Sequence, residues 1–421
     1  MIYSDIEEKN AVELLDEYEA DYVIDPNEGE IIYQKDAAIF IHLYYEELKE
    51  YCFRYIESAL LVCDVYITTP NLKIKQYIEQ QLDQDIKHRC KVVLVENRGR
   101  DIAALLIHHR ERILKYKYFA FLHDKKSMHI ENEKHGAMWC DLLWENIVKS
   151  PQYIVKVVRC LRENEKLGVL SVPEPYWGEF VSLFSNGWCG NYEAVEKLAK
   201  ELGLKCRLDK KYPPITIGTA FWARSEALLP LLEYSFQLDD FLNDEVTSLS
   251  YAVERIFAYV AQNQGFYTGI VSTKGFSYNR NRFMQQMVVS CMNILQHRYC
   301  WNSSEQIERV ASVYEEIDEF IENHDAIYMF GDLPFAIEIF RRFPALVNRI
   351  QGFCVENKKR KVAQLCDKPV FEISEISQDE AVGFILLCEN NNINEKIQYL
   401  LLQGINKRNA LSMEKLLKCI D

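Results

Sequence analysis

Two charged clusters interrupt apolar surroundings in this chain, Glu96-Asn97-Arg98-Gly99-Arg100-Asp101 and His123-Asp124-Lys125-Lys126-Ser127. Each follows a run that reads as a buried strand, CKVVLVE at 90–96 and YKYFAFLHD at 116–124. In an open α/β sheet the carboxyl ends of strands are where ligands bind. The residue types suit an anionic, hydroxyl-rich ligand. Arg98 and Arg100 can pair with phosphate oxygens, Asn97 and Asp101 can hydrogen-bond a ribose or base, and Gly99 permits a tight turn or a close backbone approach. Lys125 and Lys126 carry compact charge that can neutralise a diphosphate leaving group, and His123 and Asp124 offer hydrogen-bonding or metal-ligating atoms. Taken singly, the first cluster also fits a capped helix with solvated arginines, and the second fits an exposed turn. Together they favour a nucleoside diphosphate ligand.

A third feature lies at TIGTAFWARSEAL, residues 216–228. Gly218 would let a ligand approach a strand, Trp222 offers a flat face for a sugar ring, and Arg224 offers a fork for phosphate or carboxylate; core packing with a surface arginine is the alternative. Downstream, Asp239, Asp240, Asp244 and Glu245 precede an amphipathic helix at 249–264. Acids stabilise any helix N-terminus, and one close to an acceptor hydroxyl can also serve as general base.

The elements that must position these residues alternate. Strands are expected at 37–45, 60–70, 90–96 and 116–124 and, with a turn, within 166–175, with helices at about 46–59, 72–84 and 101–113 and a helical region at about 138–165 between and after them. This order predicts an α/β fold with a largely parallel sheet. The segment 176–190, rich in glycine and aromatics, suggests a pocket wall or lid. Residues 281–323 read as helical, and the alternation restarts with AIYMFG at 326–331, so a second, smaller α/β domain is expected from about 325.

Composition narrows the functional classes. The chain has 421 residues, 48% of them hydrophobic, and can bury large cores. Residues 1–30 hold eleven acids and one lysine, so most of the formal net charge of −14 sits in what reads as a solvated extension. The remainder is near neutral, which argues against a general nucleic-acid binder. Thirteen cysteines without a CxxC pair suggest reduced thiols in a cytoplasmic protein, and the apolar runs are too short to span a bilayer.

The blocks IFIHLYYEELKEYCFRYI, VCDVYITTPN, VENRGRDIAALL, YFAFLHDKKSMH, LGVLSVPEP, GTAFWARSEALLPL and SYAVERIFAYVAQNQGFYTGIV occur in an order that resembles the rhamnan synthesis protein F family, over about residues 36–273. The resemblance implies a GT-A-like, Rossmann-related glycosyltransferase of bacterial polysaccharide assembly that uses a nucleotide-sugar donor such as dTDP-rhamnose. In that light Asn97 to Asp101 resembles the Asn-x-Gly element near the nucleotide, and HDKKS stands where related enzymes carry an Asp-x-Asp metal motif. Here Asp124 is the one acid and Lys126 occupies the second acidic position, so Mg²⁺ or Mn²⁺ at Asp124 and a metal-independent reaction both stay open. Family members often read Asp-Gly-Thr before the Glu-Arg helix; this chain has DEVTS, leaving Asp244 or Glu245 as the base of an inverting reaction.

AIYMFGDLPFAIEIF is similar to the start of small Rossmann-like domains, but Leu333 and Ala336 replace the second and third glycines of a dinucleotide fingerprint, so no NAD is expected and a structural or docking role is favoured. The expected organisation is an acidic extension (1–35), a GT-A-like domain (36–280), a helical linker (281–324) and a Rossmann-like domain (325–421). Donor contacts are expected from Asn97, Gly99, Arg100, Asp101, His123, Asp124, Lys125, Lys126, Gly218, Trp222 and Arg224. The implied acceptor is a glycan, lipid-linked in many such enzymes, which would place the protein peripherally at the inner membrane face. The alternative is a non-catalytic subunit that binds sugar nucleotide or glycan. Donor sugar, linkage and oligomeric state are not readable from the residues.

Overall fold

Strands that are apolar at every position need cover on both faces, and a sheet between two helical layers supplies it. The computed structural model describes residues 21–126, 133–176, 188–206, 208–210, 216, 218–241, 249–299, 304–331, 344–356, 363–365, 367–376, 381–387 and 393–412. The chain divides into two compact units, Met1–Gln285 and Gln286–Asp421.

The first unit is built on eight strands: β1 (Asp21–Ile24), β2 (Ala37–His42), β3 (Asp64–Thr69), β4 (Cys90–Leu94), β5 (Tyr118–His123), β6 (Leu167–Ser171), β7 (Phe221–Arg224) and β8 (Tyr267–Thr273). They lie in the order β1-β8-β6-β7-β5-β2-β3-β4. All neighbours run parallel except β7, which is antiparallel to β5 and β6. Residues 21–24, expected in a solvated extension, instead form the edge strand β1 paired with β8.

Alternation along β2 and β5 sorts the core. Ile39, Ile41, Ala120 and Leu122 face one layer, made by α1 (Lys49–Leu60), α2 (Leu72–Gln81), α5 (Glu133–Ile147) and α6 (Pro151–Glu163). Ala38, Phe40, Phe119 and Phe121 face the other. That second layer contains α3 (Arg100–Ala103), a π-helical turn (Ala104–His108), α4 (Arg110–Ile113), α7 (Tyr192–Glu201), α8 (Leu229–Glu233), α9 (Leu249–Glu254) and α10 (Phe257–Asn263). The expected helical region at 138–165 is two helices, because Ser150 caps a new one through Tyr153 N at 3.1 Å and Pro151 occupies its first turn. The expected helix at 249–264 also breaks. The Arg255 guanidinium takes Tyr251 O at 3.0 Å while Arg255 N turns to Ala252 O, so the regular ladder stops there.

A long helix, α11 (Lys274–Tyr299), follows β8, and α12 (Ser304–Glu322) leads into the second unit. That unit carries β9 (Ala326–Gly331), α13 (Pro344–Arg349), β10 (Gly352–Val355), β11 (Gln364–Leu365), β12 (Lys368–Glu372), β13 (Val382–Leu387), α14 (Ile393–Leu402) and β14 (Ala410–Ser412). Its order, β11-β12-β10-β9-β13-β14, places β10 and β12 on one side of β9 and β13 and β14 on the other. This is a doubly wound arrangement. Gly331 ends β9 at φ +138°, where a Cβ would come within 2.0 Å of Leu387 O. Leu333 and Ala336 lie outside the described residues. No helix among the described residues is long and apolar enough to cross a membrane, and the described cysteines are free thiols.

Two residues expected at a ligand are instead consumed by the fold. Trp222 is fully buried in mid-sheet, and its indole N–H donates to Ile147 O at 2.9 Å. Arg224 pairs in register with Tyr118, the first residue of β5, and so sits at the opposite edge of the sheet from the charged clusters. Its buried guanidinium donates to Leu161 O (2.6 Å), Asn164 O (3.0 Å) and Leu167 O (3.3 Å), and lies 5.1 Å from the Tyr118 ring centre. The carbonyls at the end of α6 need donors, and a cation there also complements the helix dipole.

Asp124, just past β5, is likewise buried. The Tyr44 N–H lies 2.9 Å from each carboxylate oxygen and the Tyr45 N–H donates at 2.7 Å, which ties the loop after β2 to the end of β5.

These roles set two expectations. Replacing Arg224 by alanine strands buried carbonyls and should cost about 3 kcal/mol or more in urea unfolding, with ligand affinity unchanged in the folded protein. A loss within the error of a surface substitution would contradict the assignment. Asp124→Asn keeps one acceptor but turns an amide N–H₂ toward backbone donors; a loss of about 2 kcal/mol is expected from the same measurement.

Candidate functional site

The chain builds β2, β3 and β4 outward in one direction and then places β5 on the other side of β2. At such a switch point the loops leaving adjacent strands part and open a crevice. The last ladder row there pairs His42 with both Thr68 and His123. Being opposite one another in a parallel sheet, the two histidines share the face covered by the helical segment that starts at Arg100.

His42 Nδ1 lies 3.0 Å from Thr68 Oγ1, which is 3.2 Å from His109 Nε2. Burial lowers His42 to about 4 and His109 to about 3, so both rings are neutral at physiological pH. His123 differs. Its Nδ1 faces Asp124 O at 2.7 Å and its Nε2 faces Gly218 O at 3.0 Å. The Asp101 carboxylate lies 3.8 Å from Nε2. Burial alone would raise the Asp101 carboxyl. The attraction of His123, Lys125 and His42, with a backbone hydrogen bond, more than offsets this and holds its pKa below the usual carboxylate value.

Asp101 reaches this point because of the turn before it. Gly99 has φ +69° and Arg100 φ +51°, and a Cβ on Gly99 would meet Ala103 Cβ at 2.6 Å and Phe241 Cβ at 2.8 Å. The glycine thus serves a tight, filled turn rather than a ligand approach. Both arginines have partners on the fold. Arg98 pairs with Asp239 at 2.8 Å and with Glu96 at 3.2 Å, while Arg100 donates to Tyr251 Oη at 3.0 Å. Asp239 and Tyr251 flank residues 242–248 in sequence; Asp244 and Glu245 lie outside the described residues, as do 177–187 of the expected lid.

Gly218 is also enclosed. At φ +96° its N–H donates to Glu254 Oε1 at 2.5 Å, its carbonyl meets His123, and a Cβ would stand 3.4 Å from Trp139 Nε1. Glu254 further binds Thr216 through its carbonyl at 2.8 Å and pairs with the buried Arg255 at 3.0 Å. Sequence reasoning missed His42, Trp139 and Glu254. His42 left a signal, a polar residue ending the wholly apolar run AAIFIH; Glu254 did not, since its role depends on a loop 36 residues earlier in the chain.

Among the described residues, the expected contacts that keep exposed atoms include Asn97, Asp101, whose side chain is 18% exposed, Arg100 and the two lysines. Lys125 lies 5.1 Å over the Trp139 ring and makes no ion pair among the described residues. Lys126 pairs with Glu47 and lies 5.8 Å from the Tyr45 ring centre, on the loop that Asp124 holds.

Asp124 does not suit a metal. Both of its oxygens accept backbone N–H groups, and burial pushes its carboxyl up to about 6, so a bound cation would have to displace the bonds that hold the β2 loop. Among the described residues no three His, Cys, Asp or Glu side chains cluster in a way that could hold a metal ion. The crevice is instead a carboxylate, an imidazole and an ammonium group brought together at the end of β5, suited to hydroxyls and to delocalised negative charge.

Comparison with known proteins agrees with the sequence pattern. Two curated relatives, both named "Uncharacterized protein WxcX", from Xanthomonas campestris pv. campestris strains B100 and ATCC 33913, are each 26% identical to this chain over 250 residues. The match covers 57% of this chain and 33% of each relative, so the chain spans about a third of their length. The profile of the family described as rhamnan synthesis protein F matches residues 2–266, which takes in the whole switch-point crevice. The chain belongs to the rhamnan synthesis protein F family.

Proposed function

We propose that the first unit is a GT-A-like glycosyltransferase that moves a sugar, rhamnose in the leading case, from a nucleoside diphosphate to a growing bacterial cell-surface polysaccharide. The observation that carries this reading is the convergence of Asp101, His123 and Lys125 at the β2/β5 switch point. Membership of a rhamnan synthesis family supports the substrate class. Asp101 stays ionised and is a weak base, so its role is to accept hydrogen bonds from ribose or sugar hydroxyls rather than to take a proton. Lys125 and Lys126 offset charge on the departing diphosphate, with Lys126 released from Glu47 as the anion arrives. Base catalysis is assigned to Asp244 or Glu245 for an inverting reaction. Arg224 and Trp222 are removed from the donor site, and no step is routed through a metal. The protein is proposed to act in the cytoplasm, against the inner membrane face where its acceptor is lipid-linked.

A second reading, a subunit that binds sugar nucleotide without catalysis, is favoured by one observation: the acid in the metal-motif position is spent on backbone N–H groups. Donor hydrolysis in the absence of acceptor separates the two, since a transferase leaks donor to water and a binding subunit leaves it intact.

The test is thermal stabilisation by a panel of nucleotide sugars and free nucleotides, with and without Mg²⁺ or Mn²⁺. At about 100 times its dissociation constant a ligand adds about 2.7 kcal/mol. One nucleotide sugar is expected to stabilise the wild type, Lys125→Ala and Asp101→Ala to lose that shift, and the shift to survive EDTA. If no nucleotide or nucleotide sugar moves the melting temperature, the transferase reading fails.

A further inference from the structure

A second concave site opens on the same sheet edge, at the end away from β4. It is a cleft of about 620 Å³ at the carboxyl ends of β1 and β8, against α5 and the first turns of α11. Three strand steps separate β5 from β8, which is about 14 Å at the usual inter-strand spacing. The cleft therefore lies within reach of a short chain of sugars whose end sits at the crevice.

Its chemistry differs from that of the crevice. Each charge on its wall is already paired: Lys149 with Glu145, and Lys274 with Asp25 at 3.4 Å. The wall is balanced and has no cation free to attract phosphate. What it presents is carboxylates and amides at Asp25, Asn27 and Glu145, together with the Tyr278 ring, which is 65% exposed. A sugar ring needs this combination, a flat apolar surface for its C–H face and acceptors and donors for the hydroxyls around its rim.

The wall is also held in shape without a ligand. Asp25 accepts from Asn27 N at 3.0 Å, Lys156 donates to Asp25 O at 3.1 Å, and Ser150 donates to Pro26 O. Across the cleft, buried Asn146 Oδ1 accepts Thr273 N at 2.8 Å and so fixes the start of α11. Pre-organised walls lower the ordering cost of binding.

We propose that this cleft binds a neutral glycan, which in the transferase reading is the acceptor chain leading to the crevice. The binding rests on the cleft alone; its role as acceptor rests on that reading.

Two variants test it without disturbing the core. Tyr278 is exposed, so Tyr278→Ala removes the platform. Gly275 lines the cleft within a helix, and a Cβ there meets no atom within 4 Å, so Gly275→Phe fills the space. Binding of short neutral oligosaccharides, rhamnan fragments among them, is measured by saturation-transfer NMR on the full chain, beside the nucleotide-sugar melting shift. Oligosaccharide should bind the wild type, and both variants should weaken it by about tenfold or more, with the nucleotide-sugar shift unchanged. Absence of oligosaccharide binding, or equal binding to all three proteins, overturns the proposal. If the glycan effects appear while no nucleotide sugar stabilises the wild type, the transferase reading falls and the glycan site stands.

Discussion

The buried carboxylate of Asp124 is the interaction on which the rest of the crevice depends. An acid taken out of water at the end of β5 must be satisfied by whatever lies beside it, and the nearest donors are the N–H groups of Tyr44 and Tyr45. Meeting that need bends the loop after β2 over the end of β5. The loop carries Glu47 to Lys126 and Tyr45 beneath it, and His123 completes the corner by bonding the carbonyl of Asp124 itself. One unavoidable desolvation thus sets the positions of residues on two strands and two loops.

The same rule, that a buried polar group takes a partner wherever the fold offers one, explains why several charged side chains are not where chemistry happens. Arg224 ends a strand, as a ligand-binding residue would, yet β7 runs against its neighbours. Its end is the opposite edge of the sheet, where the open carbonyls of α6 need donors. Arg98 and Arg100 sit in the predicted turn but brace it against Asp239 and Tyr251. Lys125, partly covered by Trp139, lies near Asp101 and makes no ion pair among the described residues. A site built this way is compact and local.

Along one sheet edge the unit presents two surfaces of different character. At the switch point Asp101, His123 and Lys125 gather at the end of β5; at the β1/β8 end, charge is paired and an aromatic ring is exposed. The first combines a carboxylate with an ammonium group, while the second offers stacking and hydrogen bonds from a wall whose charges are paired.

The sequence by itself determined most element types and the parallel layering, because AAIFIH and YFAFLH are short apolar runs flanked by charged or polar residues, which fits strands covered on both faces. It also placed the two charged clusters at strand ends and located the turn at Gly99, since only a backbone with positive φ, packed tightly against Ala103, requires glycine there. Direction and register were decided by the tertiary structure. Whether Arg224 lies at the ligand edge depends on β7 being antiparallel, and no local pattern encodes that. Whether Asp124 binds a cation or a loop depends on where Tyr44 and Tyr45 fall, some 80 residues earlier in the chain. Periodicity reports which face of an element is apolar, because that is a property of a few neighbouring residues. The fate of a single charge is set by the partners that folding brings to it from distant parts of the chain.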